Sequence, residues 1–391
     1  MTIYPRTTTT IQTRPRILLL AMLPIGDTIW LAPTTRALRA RYPAASISAL
    51  AYPSNAPVAA LLPGVDEVTQ FDPRRDLAQA YTLARLLANL RGRRYDWAIT
   101  FTSPAFKWIS LLSGIPQRTY MKFDRLWWLI PARHDRWRAT HATEHYYDAA
   151  RELDLPPWRG VDRRPALALP ATARQEARRF LRDQRVAPRG ARRLVAIHPG
   201  GAGLNGQKRW PAASFAALAC RLARVRDVRI MVMGGPDEIE LARHVAWLAR
   251  DCHPIVAAGA TSLLGSLALV ERADLFIGDD SGLLHAAAAL GIPYIGLFGP
   301  TSPASFHPVP VRAGQGRLLL ARGQSEDPIA FVGSDVIWKT VRCVGAAHAM
   351  ERIRVDDVLL AATQALADST TLSTFTPRAE EPRLEASSSA R

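Results

Sequence analysis

A chain of 391 residues is long enough for two domains of ordinary size, and its 48% hydrophobic content provides each with apolar material for a core, which excludes a disordered or fibrous protein. The net charge of +16 suits an anionic partner, whether nucleic acid, acidic lipid headgroups or a phosphorylated substrate, and does not choose among them. Cys220, Cys252 and Cys343 are odd in number and match no metal-ligand spacing, so they predict reduced thiols of a cytosolic protein, with neither a disulfide framework nor a zinc site.

Arg6, Arg14 and Arg16 precede the apolar run Ile17 to Leu23 as the charged segment of a signal peptide would, but Pro24, Gly26 and Asp27 end that run early. It reads instead as a buried first strand, followed by a helix over Thr28 to Arg41. Strands are expected next at Ala45 to Ala51, Val65 to Phe71 and Asp96 to Phe101, with a helix at Leu77 to Arg91. This is the βαβ signature of a parallel sheet covered by helices. The period blurs between Pro116 and Pro170, and the Arg-, Pro- and Gly-rich stretch Arg182 to Arg193 reads as a linker. A second series has strands at Leu194 to His198, Val228 to Met233, Pro254 to Ala258, Asp274 to Gly278 and Tyr294 to Phe298. Helices at Ala212 to Arg224, Glu238 to Arg250, Ser262 to Arg272 and Ser281 to Leu290 alternate with them, and Val355 to Leu366 closes the fold. The expected architecture is a disordered extension over residues 1–15, Rossmann-like doubly wound domains over 16–185 and 186–367 facing a central cleft, and a disordered tail over 368–391. Leu283 to Phe298 is apolar but interrupted by His285, Gly291 and Pro293, so the protein is read as soluble.

Two strand-to-helix connections carry the chemistry. The first, His198-Pro-Gly-Gly-Ala-Gly-Leu-Asn-Gly-Gln-Lys-Arg-Trp-Pro211, offers backbone N–H groups to an anion and adds the cation of Lys208. Gly201 and Gly206 have the spacing of a P-loop, but Gln207 stands where its lysine belongs and no Ser or Thr follows Lys208. A flexible connection would explain the glycines but not the Lys-Arg-Trp-Pro exit. In the second, Gly278-Asp-Asp-Ser-Gly-Leu-Leu-His285, Ser281 and Gly282 open a helix whose free amides and dipole favour a phosphate, and His285 can donate one turn in. Asp280 is either a helix cap or a partner for sugar hydroxyls. Asp279 and Asp280 are adjacent on a strand and point apart, which argues against a shared metal.

These segments, with Met233-Gly-Gly-Pro-Asp-Glu238, Gly259-Ala-Thr-Ser-Leu263, Phe298-Gly-Pro-Thr301 and the opening Ile17-Leu-Leu-Leu-Ala-Met-Leu-Pro-Ile-Gly-Asp-Thr-Ile29, resemble glycosyltransferase family 9, the ADP-heptose:lipopolysaccharide heptosyltransferases. The resemblance runs from about Arg16 to Ala367. It implies a GT-B fold, an acceptor-binding N-terminal domain, a nucleotide-sugar-binding C-terminal domain, and inverting transfer that needs no metal or other cofactor. Asp27 matches the family's catalytic carboxylate, Lys208 the lysine at the leaving diphosphate, Glu238 the ribose-binding carboxylate and Asp280 the sugar-binding aspartate. Gly200 and Gly201 fall in the first phosphate loop, Ser281, Gly282, Leu283 and His285 match the phosphate-binding turn, and Thr261 lies in the loop bordering the base. Two departures stand out. Gly200, Gly201 and Ala202 replace the early Ser or Thr of many members, and Leu23-Pro24-Ile25 replaces the Ser-Ser-Leu common among inner-core heptosyltransferases.

Arg118, Lys122, Arg125, Trp127, Trp128, Arg133, Arg136, Trp137 and Arg138 form a basic-aromatic stretch in the acceptor half, suited to anionic glycolipid headgroups and the inner-membrane surface, to stacking on single-stranded nucleic acid, or to a packed core with solvated arginines. Arg118 and Lys122 are the candidate acceptor contacts, while His141 and His145 read as capping or packing. The leading expectation is a cytoplasmic, peripherally membrane-bound enzyme moving heptose from ADP-heptose to a lipopolysaccharide core-type acceptor, with Asp27 as general base. The alternatives are a member using another nucleotide sugar for a different surface glycan, and a non-catalytic sugar-nucleotide or glycan-binding module. A nucleic-acid-binding protein would explain the charge but not the paired phosphate loops. A dehydrogenase is excluded because no Gly-x-Gly-x-x-Gly follows either opening strand.

Overall fold

Strand β1 (Arg16–Leu20) is apolar at every position after its first because helices cover both faces of its sheet. Ile17 and Leu19 pack with Leu31 and Leu38 on the side of the Ala32–Arg41 helix, whereas Leu18 and Leu20 pack with Leu86, Leu90 and Ile109 from the Ala80–Gly92 and Lys107–Leu112 helices. The computed structural model describes residues 14–72, 80–101, 106–120, 141–165, 167–186, 192–201, 207–301, 303–321 and 348–372. Four more strands, β2 (Ser46–Ala51), β3 (Glu67–Gln70), β4 (Trp97–Thr100) and β5 (Gln117–Tyr120), complete the first sheet in the order β3-β2-β1-β4-β5.

The second sheet contains β6 (Arg193–His198), β7 (Val228–Val232), β8 (Ile255–Val256), β9 (Leu275–Asp279), β10 (Tyr294–Phe298) and β11 (Gly316–Leu320), ordered β11-β10-β9-β6-β7-β8. Among the described residues every strand pairing in both sheets is parallel. Val195, Ile197, Ile230 and Ile277 face the Ala212–Val225 and Val355–Leu372 helices, and Ala196, Met231 and Phe276 face the Leu263–Arg272 and Gly282–Ala289 helices. Alternate side chains are therefore buried on opposite faces, which is the reason these strands read as unbroken apolar runs.

Several boundaries differ from the sequence expectation for identifiable reasons. The helix expected over Thr28 to Arg41 is two helices, Ile25–Ile29 and Ala32–Arg41, with the break at Trp30 and Leu31 ahead of Pro33. The edge strands β5 and β11 were not foreseen; each is short, and Gln117, Arg118 and Arg317 keep them from reading as apolar runs. The Ala171–Asp183 helix precedes the Arg-rich linker in sequence but packs in the second half, its Ala173, Ala177 and Leu181 at four-residue spacing against the Leu263–Arg272 helix. Arg174 fixes that contact with a two-pronged pair to Glu271 at 2.7 and 2.8 Å. The last helix runs on to Leu372.

The halves meet where the Ile25–Ile29 helix lies against the Gly282–Ala289 helix, and Ile29 and Val58 of the first half join the second half's core. No helix among the described residues is long and apolar enough to cross a membrane.

Candidate active site

Asp27, Gly200, Gly201, Lys208, Glu238, Asp280 and Ser281 sit beyond the carboxyl ends of β1, β6, β7 and β9, the edge at which parallel sheets collect ligand groups. Asp27 lies in the first turn of the Ile25–Ile29 helix, not in a turn ahead of it, and Pro24 rather than Asp27 occupies the cap position. Gly26 is needed for close packing. A Cβ there would come 2.5 Å from Cδ2 of His285, so only glycine lets the two halves approach this closely. Gly282 meets Ile25 in the same way from the other side, at 2.8 Å.

Asp27 is half-buried, and Oδ1 accepts a hydrogen bond from the phenol of Tyr146 in the Ala142–Asp148 helix. Burial raises its pKa above the ordinary carboxylate value; the Tyr146 hydrogen bond and the charges of His285 and Lys208 act in the opposite direction, while that of Asp280 adds to the rise. Trp30 joins the halves beside it, its ring 4.6 Å from His285, 5.1 Å from His141 and 6.1 Å from Phe306. His141 caps its helix as anticipated, Nδ1 accepting from the amide of Thr143, and its Nε2 meets the carbonyl of His307 at 2.8 Å across the cleft. Burial and the neighbouring His307 push the His141 pKa down to about 3, so the ring is neutral, with Nδ1 accepting and Nε2 donating.

On the other wall Lys208 Nζ lies 2.7 Å from Oδ2 of Asp280, and His285 Nε2 lies 3.5 Å from Oδ1. Burial alone would raise Asp280, but Lys208 and His285 outweigh it and hold the carboxylate well below its usual range. Ser281 is the N-cap of the Gly282–Ala289 helix, yet its hydroxyl turns to His198 Nδ1 at 3.0 Å instead of capping. His198 Nε2 in turn donates to Oε2 of Glu238 at 3.0 Å. Glu238 also accepts from Gly201 N at 2.8 Å and Gly235 N at 2.9 Å. Burial opposes ionisation of Glu238, but the hydrogen bond and charge of His198, with the two amides, bring its pKa down to about 2. Gly200 permits this arrangement, since a Cβ at that position would fall 2.1 Å from Oε1 of Glu238.

The two aspartates at the end of β9 diverge, in keeping with their adjacency on a strand. Asp280 faces Lys208, whereas fully buried Asp279 accepts from the amide of Trp210 at 3.1 Å and is pushed well above the ordinary carboxylate range by burial. Trp210, whose indole donates to the Ile353 carbonyl at 3.0 Å, anchors the exit of the first loop in the core. The Lys-Arg-Trp-Pro sequence thereby holds Lys208 at the cleft. Among the described residues no cluster of three or more His, Cys, Asp or Glu side chains could hold a metal ion.

Thr261 directs its hydroxyl to Ser266 at 2.9 Å beside the start of the Leu263–Arg272 helix, and Leu283 packs into the second core. Arg118, on β5, donates to the carbonyl of Ile115 in its own turn, and among the described residues its buried Nε has no partner. Lys122 and the basic-aromatic residues from Arg125 to Arg138 lie outside the described residues. Tyr146, Trp30 and the linking role of His198 had not been foreseen. His198 stands at the edge of a recognisable motif, whereas Tyr146 lies in the irregular stretch where no periodicity marks it.

The sequence pattern of glycosyltransferase family 9 (heptosyltransferase) matches residues 83–327, more than half of the chain. The chain belongs to this family. Lipopolysaccharide heptosyltransferase 2 of Salmonella typhimurium is 26% identical over 326 residues, covering 78% of this chain and 88% of that protein. Lipopolysaccharide heptosyltransferase 3 of Escherichia coli is 27% identical over 301 residues, covering 72% and 83%. Among solved structures, a family 9 glycosyltransferase from Veillonella parvula superposes with a TM-score of 0.76 at 22% identity, covering 90% of this chain and 98% of that one. The E. coli ADP-heptose lipopolysaccharide heptosyltransferase II superposes with a TM-score of 0.69 at 22% identity, covering 91% and 99%. The family 9 chain thus has the GT-B fold, two parallel-sheet α/β domains about a cleft.

Proposed function

We propose that this family 9 glycosyltransferase moves a heptose from ADP-heptose to a lipopolysaccharide core-type acceptor in one inverting displacement. Asp27 takes the proton of the attacking acceptor hydroxyl as the new bond to the anomeric carbon forms. The bond from that carbon to the diphosphate breaks on the opposite face, where Lys208 and the amides opening the Gly282–Ala289 helix receive the charge. The observation that carries this reading is the packing of Gly26, next to Asp27 on one wall, against His285 on the other, whose Nε2 lies 3.5 Å from Asp280, itself 2.7 Å from Lys208. Glu238 ties the first phosphate loop to the segment after β7, and its three bonds leave one lone pair of Oε1 for a ribose hydroxyl. Asp280 holds Lys208 at the cleft and serves the sugar hydroxyls once the diphosphate draws Lys208 away.

The donor assignment is supported by the relatives' names, lipopolysaccharide heptosyltransferases 2 and 3, and by a solved E. coli heptosyltransferase WaaC with ADP. The excess of basic residues supports an anionic glycolipid acceptor met peripherally at the cytoplasmic face of the inner membrane. No metal or other cofactor enters this mechanism.

The test is a titration with ADP-, UDP- and GDP-sugars followed by a transfer assay with Asp27→Asn alongside. ADP-heptose is expected to bind tightest, and D27N to lose transfer while holding the donor nearly as well. Equal binding of UDP- or GDP-sugars overturns the donor assignment and favours another surface glycan. Undiminished transfer by D27N removes Asp27 from the base role.

A further inference from the structure

We propose that Tyr146 is the positioning residue of the transfer step, its phenol pinning Oδ1 of Asp27 so that Oδ2 is presented to the acceptor hydroxyl. The inference rests on the reading of Asp27 as the base. Its geometry is independent of that reading. Tyr146 is buried, its ring meets Phe101 edge-on at 6.0 Å, and its helix packs in the core shared with β1, so the phenol has one place to go. The Tyr146 hydroxyl is the hydrogen-bond partner of Asp27 among the described residues, and it engages one oxygen only. Oδ2 accepts no hydrogen bond there, and Asp27 retains solvent access.

A carboxylate on a short side chain swings about two torsions, and either oxygen could otherwise face the acceptor. Fixing one oxygen by a buried donor removes that freedom before the substrate arrives, which is how orientation lowers a barrier. The same hydrogen bond stabilises the ionised form and opposes the rise that burial imposes on Asp27. The groups bearing on Asp27 from the surrounding elements are Tyr146 in the Ala142–Asp148 helix, His285 in the Gly282–Ala289 helix, Lys208 in the loop after β6 and Asp280 at the end of β9. Tyr146 is the one of these that comes from the acceptor half. It can therefore act on the base without touching donor contacts.

The experiment compares the full-length protein with Tyr146→Phe, with 3,5-difluorotyrosine incorporated at position 146, and with D27N, by steady-state kinetics over pH and by donor titration. Y146F is expected to lower kcat about 10- to 100-fold, the factor that accompanies loss of one hydrogen bond to a charged group, with the donor KM within about twofold. Its acid limb in kcat/KM moves up by about one pH unit, because Asp27 loses a donor that favoured its ionised form. The difluorinated phenol is a stronger donor and moves the limb the other way. A limb that stays put in both variants overturns the proposal, as does a change in donor KM alone. Should D27N transfer sugar normally, the base assignment falls instead, so the two failures are distinct. Thermal unfolding of Y146F close to wild type shows that the kinetic change is not one of folding.

Discussion

Replacing Glu238 by Gln tests the electrostatic account of the donor loop most directly. Glu238 accepts from Gly201 N, Gly235 N and His198 Nε2, and a Gln amide would turn its NH2 toward at least one of these donors. The carboxyl goes from an ordinary value of 4.5 to about 2 in the folded chain. That depression corresponds to about 3 kcal/mol of stability at neutral pH, at 1.36 kcal/mol per unit. The group is largely buried, its side chain 13% exposed, so solvent screening discounts this little. Because the folded pKa is depressed, the contribution is fully present above the unfolded value near 4.5 and is lost as pH falls toward 2. Linkage then places about 2 kcal/mol of the loss between pH 7 and pH 3. Urea unfolding of wild type and E238Q at pH 7, 5, 4 and 3 should show the gap between them narrowing by that amount. A gap that is constant with pH, or under about 0.5 kcal/mol at pH 7, refutes the reasoning.

Gly26→Ala drives a methyl group into His285 and should cut kcat/KM at least about tenfold by holding the halves apart, while Gly92→Ala, where nothing lies within 4 Å, leaves activity unchanged; equal activity of both variants would refute the interlock. Lys208→Met should lower kcat about 100-fold, and should also destabilise by about 3 kcal/mol by leaving Asp280 buried without its cation. Adding Asp280→Asn to K208M should recover stability in urea unfolding but not transfer. Exhaustive chelation should leave donor affinity unchanged in titration calorimetry; strict loss of donor binding would place a metal in the site.

Much of the site was legible because its parts lie at strand ends, where motif and topology coincide. The run Ile17 to Leu23 ends at Gly26 and Asp27, the run Leu194 to His198 opens the glycine-rich loop, and Asp274 to Gly278 opens onto Asp280 and Ser281. In each the strand directs its following residues to the same edge of a parallel sheet. Of the four edge strands, β5 and β11 were less legible, since their charged or polar residues break the apolar run.

Sequence alone determined which residue types stand at the mouths of the strands, because local order and apolar patterning dictate the βα units and their connections. Tertiary structure decided what those residues touch. Gly26 answers to His285, 259 positions away in the chain, Tyr146 reaches Asp27, and Glu238 meets Gly201 directly and Ser281 through His198, none of which has a local signature. The reason is physical: a hydrogen bond or a close packing contact depends on where two distant elements cross, and that crossing is set by how two cores fill their volume rather than by any spacing along the chain.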